Sequence, residues 1–79
     1  MGKVRINLMV DDGHMISSEV ETKGATSKSM LLSSGPYEAW FPIKGLKKEG
    51  RNEYSIREWL ECKLTIEQRC VVQYEGEIY

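Results

Sequence analysis

Covalent and metal chemistry need nucleophiles, general bases or soft ligands, and this chain has few of them. It holds one histidine and two cysteines. Any Ser-His-Asp or Cys-His pair would therefore depend on His14, which needs a positioned nucleophile and a third group to orient it. His14 directly follows Asp11-Asp12-Gly13, a turn sequence, where a solvated imidazole is the expected outcome. Cys62 and Cys70 have seven residues between them, outside the two-to-four-residue knuckle spacing of structural zinc sites. With one histidine they offer three soft ligands where zinc takes four. The carboxylates Asp11 and Asp12 flank an Asp-Gly turn and read as a hairpin device. Gly24, Gly35, Gly45 and Gly50 are scattered and form no phosphate-cradling loop. No catalytic residue, metal site or cofactor is expected, and the chain reads as a non-enzyme.

The elements that would position any site are equally small. Seventy-nine residues make one domain, 1–79, with a core worth only a few kcal/mol of net stability. Hydrophobic residues at 41% and charged ones at 29% fit a globular chain, and a net charge of −1 creates no overall field toward nucleic acid or anionic lipid. The first ten residues alternate polar with apolar side chains, unlike the unbroken apolar run of a signal peptide. No stretch reaches the roughly 18 apolar residues of a membrane helix. The expected location is a cytosol, with both thiols free.

Val4, Ile6, Leu8 and Val10 share one side of a period-2 pattern, the strongest strand signal in the chain. With the Asp-Gly turn and the alternation after it, residues 3–10 and 14–23 read as a β-hairpin. A second hairpin joins 28–32 to 37–41 through Ser33-Ser34-Gly35-Pro36, and Pro42 ends the ladder for want of an N–H. Residues 44–52 read as a polar loop. Ser55-Ile56-Arg57-Glu58 has the form of a capping box, which predicts a short helix over about 56–63, with Thr65–Gln68 a weaker second cap. Cys70, Val72 and Tyr74 alternate with Val71 and Gln73, which predicts a last strand. The expected fold is α+β and mainly antiparallel, a small curled sheet or partial barrel of about five strands with one short helix.

Three segments carry a family pattern: Thr26-Ser27-Lys28-Ser29-Met30-Leu31-Leu32, then Trp40-Phe41-Pro42, then Ile56 with Trp59-Leu60. Together they resemble short proteins of bacteriophages and prophages that typically read T-x-K-A-apolar-L, W-F/I-P-K-S and I-P-x-W-L. The chain departs from it at Ile43-Lys44, where Lys-Ser is usual, and at Arg57, where Pro is usual. The resemblance implies a mobile-element origin and a bacterial host cytosol, and it carries no activity or catalytic residue with it.

Charge and aromatics supply the binding hypothesis. Residues 22–52 carry six basic and two acidic side chains, while both flanks are net acidic. Trp40 and Phe41 are adjacent, so on a strand they face opposite sides, and which one is exposed is not readable from the pattern. The expected contact set is Trp40 or Phe41 as apolar anchor with Lys44, Lys47, Lys48 and Arg51 as charged rim. The leading function is docking on a bacterial host protein, in a defence system for instance, to modulate or inhibit it. One alternative is a small-barrel nucleic-acid binder using the basic loop 44–51. Another is a sponge for an anionic small molecule. Homo-oligomers through sheet edges, by way of the strand at 3–10 or the C-terminal strand, are also expected.

Overall fold

The computed structural model describes residues 2–9 and 13–78, with backbone alone for residues 77 and 78. Asp11 and Asp12 of the first turn lie outside the described residues; Gly13 beside them takes φ +79°. Strand β1 is Lys3–Met9 and β2 is Met15–Ala25, paired antiparallel with Val4 opposite Val20 and Leu8 opposite Ile16. Strands β3 (Ser29–Ser34) and β4 (Tyr37–Pro42) form the second hairpin. Its loop is only Gly35-Pro36, because Ser34 already pairs with Tyr37. Gly35 has φ +57°, a conformation that favours glycine, and a methyl group there would also meet the Tyr74 ring, which packs against the turn.

The predicted loop 44–52 is instead structured. Ile43–Gly45 makes one 3-10 turn, β5 runs Leu46–Gly50 and β6 runs Glu53–Ile56. Both β5 faces are mostly solvated, so its lysines and glutamate show no hydrophobic period. Strand β6 lies parallel to β1, Ile6 beside Tyr54 and Asn7 beside Ser55, in an otherwise antiparallel sheet. That pairing takes Ser55 into a strand. Helix α1 is accordingly a single turn, Glu58–Glu61, capped by Arg57 without a side-chain bond, inside the expected span 56–63.

The longer helix is where a strand was expected. Helix α2 is Ile66–Gln73, and the Thr65 hydroxyl accepts from Gln68 N at 3.1 Å while Thr65 N donates to Gln68 Oε1 at 2.9 Å. The cap read as the weaker one is thus the complete capping box. Gln68, Val71 and Val72 are buried together. A strand would turn one valine of the pair outward, whereas a helix keeps positions i, i+3 and i+4 on one face, so burial of both overrides β-propensity. A two-residue strand β7, Glu77–Ile78, then pairs with the start of β2.

The sheet order is β4-β3-β2-β1-β6-β5. Edge strands β4 and β5 are joined by only three residues. Laid flat, six strands would hold the two edges about 24 Å apart. The stretch from Pro42 to Leu46 spans about 14 Å at most. The sheet must therefore curl until the end of β4 meets the start of β5. The curled face encloses Ile6, Leu8, Val20, Leu32 and Phe41, and α2 packs against it with Val71 and Val72. The other face is polar. There Arg5 Nη1 donates to Ser17 Oγ (3.0 Å), Ser17 donates to Asn7 Oδ1 (2.8 Å), and Asn7 Nδ2 donates to Glu53 Oε2 (2.7 Å). This chain of bonds stitches β2, β1 and β6 together.

Candidate functional site

The seam between the two sheet edges is built from three short segments. The first is the β2–β3 connection, in which the Thr26 hydroxyl accepts from Lys28 N (3.2 Å) and Ser29 N (3.0 Å). Thr26 N also donates to Ser29 O at 2.8 Å, closing a tight turn that projects Lys28. The second is the 3-10 turn, whose Ile43 N donates to Lys28 O at 2.8 Å, extending the β3–β4 ladder past Pro42. The third is α1, locked on by Arg57 N donating to Gly45 O at 2.8 Å. A methyl group on Gly45 would come within 2.5 Å of Leu60 Cδ2, so only glycine lets α1 approach this closely.

Between these segments lies a depression of about 390 Å³, with loop 27–29 on one wall, residues 42–44 on another, and Trp59 on the third. Trp59 is 48% exposed and Ile43 38% exposed. Trp40 is also 48% exposed. It shares a face with Pro42 two residues on, so the apolar surface continues from the depression along β4. Exposed large apolar groups in one contiguous region are the ordinary mark of a contact surface. Lys28 and Lys44 flank the depression, and among the described residues no carboxylate lines it. Among the described residues, Lys3 pairs with Glu19 (3.9 Å), Lys23 with Glu21 (3.2 Å) and Lys47 with Glu49 (3.7 Å), while Lys28 and Lys44 take part in no ion pair.

The expected contact residues fare unequally. Trp40 and Lys44 lie at this corner, exposed. Phe41 is 0% exposed and is a central core residue, so it is corrected from anchor to core. Lys47 and Lys48 sit next to each other on β5, opposite Ser55 and Tyr54, and therefore point to opposite faces. Arg51 lies in the β5–β6 turn, a strand length of roughly 13 Å beyond Leu46. The basic loop is thus an edge strand with charges spread along and across it, and lysines in that position protect an edge from pairing. The proposed oligomer edges also change. Strand β1 is interior, flanked by β2 and β6, and residues 70–73 are helical, so neither can supply the edge.

Sequence reasoning gives Trp59 and Ile43 no contact role, and Lys28 counts there only among the six basic side chains of residues 22–52. The site draws its residues from segments far apart in the chain, 27–29, 42–44 and Trp59. Of the reactive groups, Cys62 and Cys70 are both free thiols, the first exposed and the second half-buried on α2. Among the described residues no group of three or more His, Cys, Asp or Glu is arranged to hold a metal ion, and no helix is long and apolar enough to cross a membrane. No family model, curated protein or solved structure matches the chain.

Proposed function

We propose that this is a non-enzymatic docking protein, made by a phage or prophage and acting in a bacterial cytosol, which binds a host protein and modulates it by occlusion. The observation that carries the reading is the seam corner, where Trp59, Ile43 and Trp40 stand exposed beside two lysines that have no ion-pair partner among the described residues. Tryptophans at the centre of a contact, rimmed by charge, are the side chains that dominate protein–protein affinity. Phage origin and a target in a defence system rest on the family resemblance alone.

The test is affinity capture from nuclease-treated bacterial lysate, run in parallel with wild type and Ile43→Glu. Ile43 is exposed, so the variant keeps its fold, which circular dichroism checks. A stoichiometric protein held by wild type and lost by Ile43→Glu supports the proposal. Capture that disappears with nuclease favours a nucleic-acid partner, and capture unchanged by Ile43→Glu moves the docking surface elsewhere.

A further inference from the structure

We infer that the seam corner receives an acidic peptide segment of its partner, with one aliphatic or aromatic side chain seated in the depression and carboxylates on either side meeting Lys28 and Lys44. The inference rests on the docking reading and deepens it by naming the chemistry of the occupant. Charge complementarity carries it. Among the described residues Lys3, Lys23 and Lys47 each pair with a glutamate, whereas Lys28, Lys44, Lys48 and Lys63 do not, and of these four Lys28 and Lys44 line the depression. The main chain at these two is held in place, Lys28 by the Thr26 turn and by Ile43 N on its carbonyl, Lys44 by the 3-10 turn. Cations anchored at the rim of an apolar cleft favour a partner whose negative charge flanks an apolar group.

The cleft itself argues against a nucleic acid as occupant. A backbone-tracking groove lays cations along several phosphates with aromatic platforms between them. Here, among the described residues, two lysines line the site, Lys47, Lys48 and Arg51 are spread along β5 and the turn after it, and the walls are Pro42, Ile43 and Trp59. A volume of about 390 Å³ is near the small end of ligand pockets. It suits a single anchor with its neighbours lying outside on the rim.

The probe is a displayed library of random heptapeptides, selected on the folded protein and then synthesised with a fluorescein label and measured individually by fluorescence anisotropy. Enriched sequences should carry Asp or Glu within three positions of a Leu, Ile, Phe or Trp. Lys28→Glu/Lys44→Glu should weaken them at least tenfold, as should Trp59→Ala, and raising salt from 50 to 300 mM should weaken them several-fold. Arg51, in the β5–β6 turn beyond the far end of β5, provides the control: Arg51→Glu should leave affinity within twofold. Apolar anchors selected without acidic neighbours would overturn the inference and leave the docking reading standing. Selected peptides indifferent to Trp59→Ala, Ile43→Glu and the lysine reversals would overturn both, and tighter binding of a dT20 oligonucleotide than of any peptide would replace the partner class.

Discussion

The side-chain amide of Gln68 donates to the main-chain carbonyl of Trp40 at 2.7 Å, across 28 residues of sequence. The same side chain accepts from Thr65 N and so closes the capping box of α2. One buried glutamine therefore starts the longer helix and covers an edge carbonyl of β4 beside the exposed tryptophan. Pro42, next along that edge, has no N–H to offer. The edge of β4 is thus blunted by two independent devices, and that of β5 by its lysines.

Gln68→Ala removes both bonds at once, and urea denaturation should show a loss of about 1–3 kcal/mol. Gln68→Glu keeps the acceptor for Thr65 N but loses the donor and sets a carboxylate against the Trp40 carbonyl. It should be at least as destabilising as the alanine, although it retains the helix cap. A glutamate variant more stable than the alanine one would show that the bond to Trp40 contributes little.

The adjacent aromatics should separate cleanly. Phe41 is fully buried between Met30 and the core, and Phe41→Ala should cost about 3–5 kcal/mol, enough to unfold much of a domain this small. Trp40→Ala, at a half-exposed position on the opposite face, should cost about 1 kcal/mol while reducing partner capture. Equal stability losses at the two positions, read by thermal and urea melts, would contradict this division.

Ser18 is a polar residue in an apolar place. Its side chain is 1% exposed on the core face opposite Ile6, and its Oγ has no hydrogen-bond partner among the described residues. Leaving a buried hydroxyl unsatisfied costs free energy that alanine does not incur. Ser18→Ala should therefore be neutral or stabilising by up to about 1 kcal/mol, the reverse of the usual direction for a core truncation.

Much of the architecture can be read from residue patterns, and where it cannot the reason is physical. The alternation of Val4, Ile6 and Leu8 is visible because one face of β1 is buried and the other wet. Strand β5 has no such contrast, since after Leu46 every residue is exposed. Helix α2 is misread because Val71 and Val72 favour strand locally, and only packing beneath the sheet shows why both are buried. The Thr65–Gln68 cap was the better guide. The candidate site is the least legible part. It depends on β4 and β5 meeting at a seam, a consequence of strand order, and no local pattern encodes strand order.

If the β5 lysines guard an edge, their removal should expose it. Lys47→Val/Lys48→Val should produce concentration-dependent association in light scattering, with partner capture retained. A strict monomer at high concentration would show that the twist of the sheet or its neighbours already protects the edge. Loss of capture would instead return these lysines to the contact surface.

The central claim is that the seam corner is where a partner docks, and amide–indole correlation spectra of the isotope-labelled protein test it most directly. On adding the captured host protein's binding segment, or a selected acidic peptide, the Trp59 indole and the amides of Lys28, Ile43 and Lys44 should shift most. The β5–β6 turn at Arg51 should stay still. The largest shifts at Arg51 and along β5, with the Trp59 indole unmoved, would contradict the account and restore the basic strand as the binding surface.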